Sequence, residues 1–192
     1  ERTTTREWGL DFELFDQRMQ LAFTAYHTQT KNHLLLQTLP VGAGGIEKQI
    51  NGGLVTNRGI ELSMGIAMIS KDVIQWQMQF NLTRNTNKVT ALGTAGDTII
   101  LNQNPGGFGH IEGYSWGQVL ARWSLERDQN GRLLTYGDGF LRQSGGWQSV
   151  GSSLPDWIAG LQQTIQYGRW KLLFSMDMRK GGTLLSMTDH DM

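Results

Sequence analysis

Ile74-Gln75-Trp76-Gln77-Met78-Gln79-Phe80-Asn81-Leu82-Thr83 is the stretch on which the fold turns. Every second residue is large and apolar, and every intervening one is polar. A period of two sends the first set to one face of an extended strand and the second set to the other. The preceding Ser70-Lys71-Asp72 reads as a tight turn, and before it the pattern runs back. There Ile60, Leu62, Met64, Ile66 and Met68 oppose Glu61, Ser63, Gly65 and Ala67. Further upstream Trp8, Leu10, Phe12 and Leu14 alternate with Glu7, Gly9, Asp11 and Glu13. Phe15-Asp16-Gln17-Arg18 turns the chain, and Met19, Leu21, Phe23 and Ala25 return against Gln20, Ala22, Thr24 and Tyr26. Alternation blurs after Tyr26, where this strand is expected to leave the apolar zone. Downstream, a strand from about Trp157 to Tyr167 sets Leu161, Ile165 and Tyr167 against Gln162, Thr164 and Gln166. After Tyr167-Gly168-Arg169 the last strand sets Trp170, Leu172, Phe174, Met176 and Met178 against Lys171, Ser175, Asp177 and Arg179, with Leu173 as the exception.

The alternating runs last about seven to nine residues before blurring. A tilted strand that crosses a bilayer needs ~9–11 residues, whereas a soluble strand averages ~5–6. The connections alternate in length: tight near 16, 71 and 168, long at 32–52 and 89–153. Outer-membrane barrels have this asymmetry, with short periplasmic turns and long extracellular loops. The apolar faces are almost free of charge, which suits lipid; the polar faces are dense in Gln, Asn, Thr, Ser, Glu and Asp, which suits a wet lumen. Trp76, Tyr167 and Trp170 lie close to tight turns, where an aromatic girdle belongs. The reading is an all-β chain: about six antiparallel strands of a larger transmembrane β-barrel, with residues 1–192 inside one barrel domain. The alternative is a soluble β-sandwich that holds glycan through Trp and Tyr in its loops. It would have shorter strands and turns every ~8–12 residues.

Composition narrows the field. The longest apolar stretch, Met64 to Ile69, is far short of the ~20 residues of a membrane-spanning helix. Net charge is zero, so no basic stripe for nucleic acid and no polybasic patch for an anionic membrane surface stands out. The absence of cysteine excludes disulfides, thiolate metal sites and thiol nucleophiles. With 25 glycines and three prolines the chain suits many turns. No signal sequence or initiator Met precedes Glu1, and Asp189-His190-Asp191-Met192 is no barrel-closing strand with a terminal aromatic. Both ends are therefore expected to be cuts in a longer chain, leaving two open sheet edges that lipid does not tolerate.

Few motifs point to chemistry, and no catalytic, metal, cofactor or substrate-binding residue is assigned. Gly113-Tyr114-Ser115-Trp116-Gly117 matches a nucleophile elbow, which requires a buried strand before and a helix after; a glycine-rich loop is preferred to a Ser115 hydrolase. Asp128-Gln129-Asn130-Gly131 begins like a calcium loop, but glycine comes fourth instead of sixth, so an Asn-Gly hairpin turn is expected. In Gly42-Ala43-Gly44-Gly45 the third spaced glycine of a dinucleotide fingerprint is replaced by Glu47. Histidines 27, 33, 110 and 190 are scattered, and His190 between Asp189 and Asp191 is a weak metal trio. Glu61, Asp177 and Arg179 face the expected lumen, where a polar wall accounts for them without a solute. Trp116, Trp123, Tyr136 and Trp147 lie in the 89–153 connection, where packing is favoured over sugar stacking.

Several segments together resemble one family. They are Glu1-Arg2-Thr3-Thr4 leading to Trp8-Gly9-Leu10-Asp11-Phe12, Asn51-Gly52-Gly53, Asn57-Arg58-Gly59-Ile60-Glu61-Leu62, and Asn81-Leu82-Thr83-Arg84-Asn85 with Asn87-Lys88-Val89. Asp128-Gln129-Asn130-Gly131, Pro155-Asp156-Trp157 with Gly160-Leu161, and Asp177-Met178-Arg179-Lys180-Gly181-Gly182 complete the set. Over nearly its whole length the chain resembles the SusC/RagA-type TonB-linked outer-membrane proteins. The resemblance implies a barrel of about 22 strands, far more than the six read here. It implies a plug domain, absent from this stretch, through which the TonB system supplies energy. It also implies a SusD-like surface lipoprotein as partner, a glycan or peptide substrate, no cofactor, and uptake across the outer membrane without bond-breaking chemistry.

Overall fold

A computed structural model describes residues 1–38, 47–93, 96, 98–102 and 107–185, with the backbone alone at 37, 38, 47, 102 and 123. Among the described residues there is no α-helix, and none long and apolar enough to cross a membrane. The chain divides into two units, residues 1–33, 54–88 and 155–181 forming the first and 34–53, 89–154 and 182–192 the second.

The first unit is one antiparallel sheet of six strands: β1 (Arg2–Leu14), β2 (Met19–Lys31), β5 (Leu54–Ser70), β6 (Ile74–Ala91), β11 (Trp157–Tyr167) and β12 (Trp170–Lys180), adjacent in that order. Each strand pairs with its predecessor in the sheet, as in an up-and-down barrel wall. The register keeps the two faces separate across the sheet. Leu10 lies opposite Phe23, and Phe23 opposite Leu62; Phe80 lies opposite Leu161, and Leu161 opposite Met176. The expected turns are present. Phe15 to Arg18 closes β1–β2, with the Arg18 amide donating to the Phe15 carbonyl at 3.2 Å. The Lys71 amide donates to the Ile74 carbonyl at 3.0 Å, and Gly168 at φ 55° lets a two-residue loop join Tyr167 to its partner Trp170.

The last two strands in the chain, β11 and β12, fall where the alternation places them. The other four are longer than the apolar pattern, at 13, 13, 17 and 18 residues. The cause is a change of side chain on one face while the ladder continues. Arg2, Thr4 and Arg6 extend the row of Trp8 on β1, and Arg84, Thr86 and Lys88 extend the row of Leu82 on β6. A hydropathy pattern ends there, but backbone pairing does not.

Among the described residues of this unit, nothing covers the apolar face. Trp8 is 79% exposed and Trp170 78%, and Ala159 is the unit's only buried apolar residue among those described. A sandwich would bury this face under a second sheet about 10 Å away. The sandwich alternative therefore fails on its own requirement.

The second unit corrects the expectation of irregular connections. β3 (Leu34–Thr38) pairs antiparallel with β4 (Glu47–Asn51). β7 (Thr98–Asn102), β8 (Gly107–Ile111), β9 (Gln118–Leu125) and β10 (Gln143–Ser152) form a four-stranded sheet in the order β10-β9-β8-β7. The unit has its own core of Leu35, Ile50, Val89, Leu92 and Ile99, with Trp116 packed against it. The glycine run at 42–45 and the Asp189, His190 and Asp191 trio lie outside the described residues.

Candidate functional site

The polar face of the six-stranded sheet is the surface fit to meet a solute. Strand parity assembles it from Glu7, Gly9, Asp11 and Glu13 on β1, Gln20, Ala22 and Thr24 on β2, and Glu61, Ser63 and Gly65 on β5. Next come Gln75, Gln77, Gln79 and Asn81 on β6, Gln162, Thr164 and Gln166 on β11, and Asp177 and Arg179 on β12. Short polar side chains satisfy one another across the strands. Thr3 and Thr30 share a hydrogen bond at 3.0 Å, as do Thr5 and Thr28, and Ser63 donates to Asn81 Oδ1 at 2.9 Å. Such cross-strand pairs brace the wall.

Small residues open a hollow in this face. Asp11, Glu13, Gln20, Ala22, Ser63 and Gly65 are among the residues lining a depression of about 310 Å³. A Cβ at Gly65 would meet nothing within 4 Å. Carboxylates and amides there can exchange hydrogen bonds with a polar solute. Glu61 stands opposite Thr24, Asp177 opposite Gly160, and Arg179 opposite Ile158, so the structure does not gather these three.

The remaining motifs resolve into structure. Ser115 lies in the turn between β8 and β9, where Gln118 Nε2 donates to its Oγ at 2.6 Å and its carbonyl at 2.8 Å. A strand follows it, not the helix an elbow requires. The nearby His110 stacks on Trp116 at 3.6 Å, and its Nδ1 accepts from the Gly117 amide at 3.3 Å. Asp128 Oδ1 accepts from the amides of Asn130 and Arg132, both at 2.8 Å, and Gly131 sits at φ 79°, which makes the segment a hairpin turn. No cluster of His, Cys, Asp and Glu among the described residues is arranged to hold a metal. Trp147 covers Gly107 so closely that any side chain there would strike its ring. Tyr136 is exposed, with the Arg142 guanidinium 5.7 Å from its ring.

Two features escaped the sequence reading. Trp8 and Trp157 form a second aromatic level at the end opposite Trp76, Tyr167 and Trp170, and Arg84 stands 5.0 Å over the Trp157 ring. Gln163 interrupts the apolar face, half-buried between Met78 and Phe174. Both follow from strand parity, so the signal was present in the spacing.

The comparisons with known proteins agree with this architecture. The family model described as "TonB dependent receptor-like, beta-barrel" matches residues 1–182. The chain is similar to TonB-dependent receptor P3 of Formosa agariphila, 27% identical over 98% of this chain and 21% of that protein. It is similar to TonB-dependent receptor SusC of Bacteroides thetaiotaomicron, 27% identical over 92% of this chain and 19% of that protein. In structure it is similar to a chain of the RagAB peptide transporter, with a TM-score of 0.73 and 16% identity over 91% of this chain and 20% of that one. The chain thus spans about one fifth of the length of these relatives. A sheet of bilayer-length strands, apolar on one face and polar on the other, is what that family's barrel wall requires, and the chain belongs to the TonB-dependent receptor family as a stretch of its outer-membrane β-barrel.

Proposed function

We propose that this stretch of wall serves an energised importer of nutrients, oligosaccharides or peptides, that works with a SusD-like surface lipoprotein and the TonB system. The observation that carries the reading is the two-sided sheet within the family's barrel: lipid on one face, a hydrogen-bonding wall on the other. The peptide option draws support from the likeness to a structure described as a peptide transporter. The partner and the oligosaccharide option draw on the SusC/RagA resemblance. In this reading the wall guides solute and breaks no bonds, so the protein is a transporter and not an enzyme. The tight turns near 16, 71 and 168 face the periplasm, and the connections at 32–52 and 89–153 are extracellular.

Deleting the gene for the intact protein should abolish growth on one class of oligosaccharide or peptide, and inactivating TonB should have the same effect. Uptake that persists without TonB would sink the energised reading. Purification of the intact protein should bring down a surface lipoprotein in equal amount; a protein that purifies alone removes that partner. Sidedness is open to labelling, because this stretch contributes no cysteine background. Gln129→Cys should react with an impermeant maleimide on whole cells and Asp72→Cys should not, while the reverse would invert the topology.

A further inference from the structure

Charge is sorted between the two faces of the six-stranded sheet. Glu7, Asp11, Glu13, Glu61 and Asp177 all lie on the polar face. The apolar face carries no Asp or Glu on any of its six strands. At the end away from the tight turns it carries Arg2, Arg6, Lys31, Arg58, Arg84 and Lys88, all exposed. Among the described residues none of these cations has a carboxylate within ion-pairing distance. The register sets like charges side by side where Arg2 lies directly opposite Lys31, and it places His27 between Arg6 and Arg58. Like charges directly opposed weaken a sheet, so a merely solvated face would mix its signs. Only folding assembles this patch, because its members come from four strands and form no basic run in the chain.

Two heads are held in place: Arg58 Nε donates to His27 Nδ1 at 3.2 Å, and Arg84 lies over Trp157. Arg2, Thr4, Arg6, His27, Gln29 and Lys31 line a hollow of about 350 Å³ on this face. Tryptophan marks the depth of the headgroups in a bilayer. Trp8 is the next residue on the face after Arg6, so the cations begin where the headgroup layer does.

We propose that this belt binds the phosphate-bearing headgroups of an anionic lipid surrounding the end of the barrel that carries the long connections. Arginine grips phosphate through paired donors, and each cation near an anionic surface adds roughly fivefold to binding. The inference rests on the apolar face meeting lipid and not on what is imported.

The test uses the intact protein in phosphatidylcholine nanodiscs doped with phosphatidic acid, reading by native mass spectrometry the lipids that stay bound on extraction. Wild type should retain phosphatidic acid over phosphatidylcholine. The combination Arg2→Gln, Arg6→Gln, Arg58→Gln and Arg84→Gln should lower that preference by more than roughly tenfold. Lys171→Gln with Arg179→Gln, on the polar face, should leave it intact. Should the fourfold variant not insert, Arg2→Gln alone and a salt titration of wild type decide, since retention must fall as ionic strength rises. Equal retention of both lipids, an unchanged preference in the variants, or full displacement by inorganic phosphate in solution overturns the proposal. A wild-type protein that does not enter the discs overturns the membrane reading itself, which separates the two failures.

Discussion

Gly59 and Tyr26 show how tightly one residue of the wall constrains another. They face each other across β2 and β5, and the Tyr26 ring occupies the space a side chain at position 59 would need. Glycine in a strand interior costs stability unless another group approaches closely, and here the approaching group is that ring. Gly59→Ala should therefore force the ring aside and lower stability by about 1–3 kcal/mol, read from denaturant unfolding of the intact barrel in detergent. Adding Tyr26→Ala should recover part of that loss, because the two changes share one clash. Strictly additive losses would mean that the ring is not what excludes the methyl group.

At the scale of the strand, position parity decides what a side chain costs. Phe80 and Gln79 are neighbours on β6 but belong to opposite faces. Phe80→Arg should cost about 2–4 kcal/mol in reversible folding into vesicles, and Gln79→Arg should cost far less. Similar costs at the two positions would deny that one face meets lipid. Parity is also what made the sheet legible from sequence: β11 and β12 lie where alternation puts them, and the tight turns at 15–18, 71 and 168 are where the pattern reverses. The far ends of β1, β2, β5 and β6 were hidden because Arg, Lys and Thr take over one face, leaving both faces polar. β7 to β10 were hidden for another reason. β7 and β8 have five residues each, and β10 meets β9 with register shifts between Gly145 and Gln148 and between Ser149 and Gly151, so no period of two survives. Of the candidate site, the carboxylates on the polar face could be read from spacing alone. The meeting of Arg2 with Lys31 could not, because it depends on a register between distant residues.

For the molecule as a whole, exposed apolar surface and open edges govern behaviour outside its setting. Trp8, Leu10, Phe12, Leu172 and Phe174 are all exposed, and β1 and β12 each have one neighbour. The 192-residue stretch expressed alone should associate in plain buffer and disperse only in detergent, as sedimentation velocity would report. A monodisperse monomer that unfolds cooperatively in buffer would contradict the barrel reading. Length has a further consequence. β5 and β6 have 17 and 18 residues against 11 for β11 and β12, and Thr56 Oγ1 still reaches the Lys88 carbonyl at 3.5 Å. At about 3.3 Å per residue, Arg84–Lys88 carries paired backbone roughly 16 Å along the strand past Thr83. Along β5 and β6 that end of the wall is a stiff collar of paired strand. A visitor landing on it meets backbone that is already ordered, and is spared the roughly 1–2 kcal/mol per residue that freezing a free chain would cost.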